Sequence, residues 1–210
     1  MIRFVKIIMD SSPIYWDPWI YRIFMRLLYG KTYEDRYRIV ADMLPSECVV
    51  TDLCCGDGFI YTKFLEKKDI NYTGVDLFPQ MMKILKKKSG CKTITGNILN
   101  LDFDKCDYCI MVGSLYHFHP QEDVVLNKMA DTGRYGLILE SVERPPKFKR
   151  KNIILRLLAE KIGYIRNSAY HYRQNSERLD YIISRSDIKV ISDELVVNGI
   201  YRMVLFEKDR

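Results

Sequence analysis

The stretch Thr51-Asp-Leu-Cys-Cys-Gly-Asp-Gly-Phe59 has the residue types of a ligand-binding turn. A short apolar run from Cys48 to Leu53 leads into it and a helical pattern leaves it, so strand, turn and helix follow one another. Gly56 and Gly58 permit positive φ and let a ligand approach the backbone closely. The helix start beyond them offers free N–H donors and a favourable dipole. Asp52 can hold the turn or reach a ligand amine. Asp76 ends the next predicted strand, Asn71 to Asp76, 20 residues after Gly56. A carboxylate at the end of a second strand can accept both hydroxyls of a ribose. Together the two features suit a nucleoside ligand.

The flanking residues narrow its type. A dinucleotide site asks for a third glycine, which permits tight helix–strand packing, and Tyr61 occupies that position. A phosphate-cradling loop asks for Gly-Lys-Ser/Thr, and none follows the glycines. A second group with chemical potential is Ser114-Leu-Tyr-His-Phe-His-Pro120. His117 suits a general base, because an unperturbed imidazole titrates near neutrality, at about 6.5. Tyr116 could orient an acceptor hydroxyl. His119, beside Pro120, reads as structural. These histidines and His171 lack the carboxylates of a metal site. Tyr33 and Arg36 could close over a bound ligand, and Glu140 and Ser141 could line its pocket.

Around these residues strand and helix patterns alternate. Helices are predicted over 14–30, ended by Gly30, and over 32–44, stopped by Pro45. After the strand over 48–53 come a helix over 59–67, the strand over 71–76, and a helix opened by Pro79 and closed by Gly90. Further strands are predicted at 91–95, 108–112 and 135–140, with a helix opened by Pro120 between the last two. Helices near 150–162 and 177–184 precede strands at 188–191 and 200–206. The alternation predicts a parallel sheet covered on both faces. Asn198-Gly199 signals a hairpin, so the sheet should end with an antiparallel strand.

The chain of 210 residues, 48% hydrophobic and 29% charged, suits one folded domain. It is divided here into an N-terminal helical lid, 1–45, and a core, 46–210, with an insertion near 143–175. No apolar run approaches the roughly 18 residues that span a bilayer, and the first residues lack a signal-peptide cleavage pattern. Six cysteines, including Cys106-x-x-Cys109, read as reduced thiols in a cytoplasmic protein. The net charge of +6 is concentrated. Between Glu143 and Arg178, 4 Lys and 6 Arg face 3 Glu, or 10 − 3 = +7. The basic part, 144–166, suits a packed amphipathic helix, nucleic-acid phosphates or an anionic membrane. The aromatic row Tyr15, Trp16, Trp19 and Tyr21 could wall an organic ligand or pack the first helix onto the sheet.

The motif Asp52-Leu-Cys54-Cys-Gly56-Asp-Gly58, followed by Asp76, resembles class I S-adenosylmethionine-dependent methyltransferases. Cys54 stands where that family usually has its first glycine. The resemblance covers roughly 32–141 and implies a Rossmann-like, mostly parallel seven-stranded sheet with helices on both faces and an antiparallel C-terminal strand. It implies that Asp76 binds the ribose, Leu77 and Met81 pack on the adenine, and Asn97 and Ile98 meet its edge. Val112 and Gly113 would lie beside the sulfonium. The implied reaction moves a methyl group from S-adenosylmethionine to an oxygen or nitrogen of a small molecule. An RNA or lipid acceptor, and a non-catalytic cofactor-binding scaffold, remain as alternatives.

Overall fold

The computed structural model describes residues 32–142 and 175–209. The aromatic row, the basic segment, the rest of the expected lid and the helix expected at 150–162 lie outside them. One sheet is built from β1 (Val49–Leu53), β2 (Asn71–Asp76), β3 (Lys92–Thr95), β4 (Cys106–Val112), β5 (Gly133–Ser141), β6 (Ile188–Val196) and β7 (Tyr201–Lys208). Its order is β3-β2-β1-β4-β5-β7-β6. The first five strands pair in parallel. β7 runs antiparallel between β5 and β6, as the Asn-Gly hairpin signal predicts.

The helices are α1 (Thr32–Met43), α2 (Pro79–Ser89), α3 (Glu122–Thr132) and α4 (Ser176–Ser184). Tyr33 and Val40 of α1, and Met81, Met82 and Leu85 of α2, pack on one face of the sheet. Val125, Leu126 and Met129 of α3, and Leu179 and Ile182 of α4, pack on the other. Strands covered on both faces need near-continuous apolar residues, and β5 is buried over Gly136 to Ser141. The edge strand β6 is mostly exposed and carries a register shift at Val190/Ser192, which blunts further pairing along that edge.

Several boundaries differ from the sequence expectation for local reasons. α3 starts at Glu122 rather than at Pro120. The segment after β1 becomes a π-helical turn, Tyr61–Leu65, and then a 3-10 turn, Glu66–Lys68, ended by Asp69 at φ 53°. Lys68 explains the tightening there: its Nζ donates to the Ala41 and Leu44 carbonyls at 2.6 and 2.9 Å. A cation thereby satisfies carbonyls left over at the end of α1. β4 begins two residues earlier than expected, taking Cys106 into the sheet.

Gly136 fixes how closely β7 can approach β5. It faces Phe206 in the register, and a Cβ at position 136 would stand 2.2 Å from the Phe206 ring. Phe206 is fully buried, so the ring has nowhere to go. Gly136→Ala is expected to destabilise the fold by about 2 kcal/mol or more through overpacking. Urea unfolding measures this, and Phe206→Leu in the same chain should recover part of the loss.

Candidate functional site

The strand order reverses between β1 and β4, where an open α/β sheet forms its ligand crevice. Two turns flank that point, one after each strand.

In the turn after β1 the chain takes three positive-φ residues: Cys54 at 59°, Gly56 at 58° and Gly58 at 70°. Cys54, the first residue after β1, opens the turn. As a side-chain-bearing residue it takes a left-handed conformation that costs roughly 1–2 kcal/mol, where the resembling family has a glycine. The two glycines serve different ends. A Cβ on Gly56 would meet nothing within 4 Å, whereas one on Gly58 would stand 2.3 Å from Leu85 Cδ1. Gly56 therefore leaves space for a ligand, and Gly58 lets α2 close on the turn.

Carboxylates hold this turn. The Gly56 N–H donates to Asp76 Oδ2 at 2.9 Å and the Phe78 N–H to Asp76 Oδ1 at 3.0 Å. Burial raises the Asp76 pKa, and these backbone donors oppose the rise. Asp52 is 2% exposed and accepts a 2.6 Å hydrogen bond from the Tyr72 hydroxyl. Tyr61 stacks on Tyr72 at 4.4 Å, so the residue in place of a third glycine packs over the partner of Asp52. Tyr72 was absent from the sequence reading; its signal is a polar-tipped ring inside a strand otherwise buried by small residues.

The turn after β4 is built in the same way. Gly113 has φ 66° and donates to the Leu139 carbonyl at 2.7 Å. The Ser114 and Leu115 N–H groups both donate to Glu140 Oε1 at 2.8 Å. Glu140, 1% exposed, is pushed up to about 7 by burial, against these two donors and the Arg36 charge. Arg36 reaches this turn from α1, with Nη1 3.5 Å from where a Gly113 Cβ would be. Its guanidinium lies 4.7 and 4.5 Å from the Tyr33 and Tyr37 ring centres. Tyr33 is buried behind Arg36, edge-on to Tyr37 at 5.5 Å.

The remaining expected residues scatter in burial. Leu77 and Val112 are half-buried, Met81 is buried among the α2 core residues, and Ile98 is buried on the opposite face. Asn97 is exposed and caps the 3-10 turn Ile98–Asn100 by accepting from the Leu99 N–H at 3.1 Å. The Gly96 N–H bonds the Asp76 carbonyl at 3.0 Å, bringing this loop to the end of β2. His117 is exposed, against the Tyr116 ring at 4.1 Å. The surrounding protein lowers its pKa by desolvation; contact with solvent limits that effect, and either way the imidazole is neutral at pH 7. His119 belongs to a structural group, with Nδ1 3.2 Å from Glu122 Oε1, which also takes Arg178.

Strand order and paired turns define the class: an open α/β protein with its crevice between the ends of β1 and β4. Residues 50–136 match the family described as a methyltransferase domain. Solved structures with the same fold include mitomycin 7-O-methyltransferase, with TM-score 0.66 and 14% identity over 94% of this chain and 61% of that one. Magnesium protoporphyrin IX methyltransferase from Synechocystis, with bound S-adenosylhomocysteine, gives 0.59 and 14% over 88% and 85%. Human N-acetylserotonin methyltransferase, with S-adenosylmethionine, gives 0.63 and 16% over 94% and 58%. This chain thus spans about three fifths of the length of the first and third. No curated protein matches it in sequence. The match of residues 50–136 to a methyltransferase domain and the shared fold are what this chain has in common with S-adenosylmethionine-dependent methyltransferases.

Asp52 generates a pH prediction. Burial lifts its pKa from 3.8 to about 7 in the folded chain. The unfolded chain releases this proton first, so Asp52 withdraws stability as pH rises from about 4 to about 7. In Asp52→Asn, Tyr72 can still donate to the amide oxygen. Urea unfolding at pH 5 and 7.5 should show a smaller stability difference in Asp52→Asn than in the wild type, by roughly 1–3 kcal/mol.

Proposed function

We propose that the chain transfers a methyl group from S-adenosylmethionine to an oxygen or nitrogen of a small molecule. The observation that carries this reading is the Asp76 carboxylate fixed at the end of β2 beside the open space at Gly56. Asp76 would take the ribose hydroxyls, with Gly56 and Gly58 forming the turn beneath. Leu77 and Met81 would pack on the adenine, with Asn97 and Ile98 at its edge. Val112 and Gly113 would border the sulfur, and Asp52, Cys54 and Tyr33 would complete the wall. When bound there, the cofactor supplies a methyl group already activated by a sulfonium. The chain's own work is to orient donor and acceptor and exclude water.

His117 is the proposed general base, with Tyr116 orienting the acceptor. Its neutral imidazole can accept a proton at pH 7. Access to solvent at His117 leaves room for an acceptor to enter beside it. Cleft chemistry of this kind suits a small organic acceptor and a cytoplasmic setting. Among the described residues no helix is long and apolar enough to cross a membrane.

Calorimetric titration with S-adenosylmethionine and with S-adenosylhomocysteine tests the reading. Saturable binding of both is expected, and binding of neither to folded protein would refute it. Asp76→Ala should weaken both ligands at least roughly tenfold, because a charge-assisted acceptor is lost; unchanged affinity would remove Asp76 from the site. His117→Ala should lower kcat by roughly 100-fold or more while cofactor affinity stays within about twofold. An equally active variant would rule out the base role.

A further inference from the structure

Besides Asp57, which pairs with Lys88 at 3.6 Å, three buried carboxylates surround the crevice: Asp52, Asp76 and Glu140 are 2%, 8% and 1% exposed. Their fields overlap at one point. Each of them, after burial itself, pushes the Cys54 thiol further above its ordinary value. Cys54 stands in the turn after β1, and β1 is hydrogen-bonded to β4. The negative potential therefore lies between the two turns that define the crevice.

The carboxylates differ in their partners. Asp76 is held by backbone N–H groups and Asp52 by the Tyr72 hydroxyl. Both bonds to Glu140 go to one oxygen, Oε1. The cation that acts on Glu140 is Arg36 of α1. Arg202, facing Glu140 across the β5–β7 register, commits its guanidinium to Asp180 and Asp193 at 2.7 and 2.5 Å. Among the described residues these three buried acidic groups outnumber the cation that offsets them, a disposition that burial penalises unless a further positive charge joins them.

We propose that Glu140 sets the charge preference of the cofactor crevice, favouring the sulfonium of S-adenosylmethionine over the neutral thioether of S-adenosylhomocysteine. The inference rests on the cofactor reading above. The two ligands share adenine, ribose and the amino-acid end. Contacts to those parts cancel in the ratio of affinities. What remains is one methyl group and one positive charge at sulfur. Glu140 attracts that charge and Arg36 opposes it, so the two side chains act on the ratio with opposite sign.

The test is calorimetry of both ligands at pH 8, where the Glu140 carboxyl is ionised, on the full chain and on Glu140→Gln. The glutamine keeps an oxygen to accept from Ser114 and Leu115. Affinity for S-adenosylmethionine should fall roughly five- to tenfold, as expected for one charge several ångströms away at intermediate dielectric. Affinity for S-adenosylhomocysteine should stay within about twofold. In Arg36→Gln the ratio should move several-fold, roughly, toward S-adenosylmethionine. An unchanged ratio in folded Glu140→Gln overturns the proposal. If that variant fails to fold, Arg36→Gln decides, and a ratio that is unchanged or shifted toward S-adenosylhomocysteine overturns it. If the wild-type chain binds neither ligand, the cofactor reading fails and this inference with it. A failure confined to the ratio leaves the cofactor reading standing.

Discussion

The Asp76 carboxylate ties the ends of β1 and β2 together through the Gly56 and Phe78 N–H groups, and much of the crevice depends on it. The turn after β1 uses three left-handed residues at alternate positions, Cys54, Gly56 and Gly58, a strained combination for a free peptide. Something must hold such a turn open. Asp76 does so without filling the space, because its donors come from the backbone. Behind it, Leu85 closes on Gly58 and Gly74, so α2 is pressed against the turn. The sheet register that sets Asp52 beside Gly74 then leaves room for this packing.

The turn after β4 repeats the device with a different residue. Glu140 accepts two successive N–H groups there, whereas Asp76 takes one N–H from the turn after β1 and one from the end of its own strand. Each carboxylate comes from the end of the strand next to the one whose turn it holds. Val112 is paired with Leu139, so Glu140 stands one step beyond the end of β4 and can reach back over it. A parallel sheet makes this arrangement easy, because all its strand ends lie on one side.

Much of this was legible in the sequence. β2 and α2 have the residues expected, because Tyr72, Thr73 and Val75 favour a strand and Pro79 and Gly90 mark the helix ends chemically. The Asp52–Gly56–Asp76 spacing also marked a real junction, since Asp76 at the end of β2 accepts from the Gly56 N–H in the turn after β1. Partnerships across the sheet were not legible. Nothing near Tyr72 in sequence points to Asp52, and nothing near Glu140 points to the Ser114 N–H. Both depend on registers set by the whole sheet. The left-handed conformation of Cys54 was not legible either, because a cysteine gives no local sign of positive φ, whereas a glycine does.

The acidic lining places the fold under a constraint that its function can relieve. Burial pushes the pKa of Asp52 and of Glu140 up to about 7, where a charge brought into the crevice would shift their ionisation. A neutral ligand gains nothing from their ionisation. A cationic one favours the ionised form and is favoured by it, which is linkage in both directions. Arg36 sets the level from which this exchange starts, held by Tyr33 and Tyr37 on the one described helix that precedes the sheet. Rings that look like ordinary core packing thus position the charge that tempers Glu140. Core and crevice are in this respect one piece of machinery, with the aromatic layer under α1 setting the electrostatics at the end of β4.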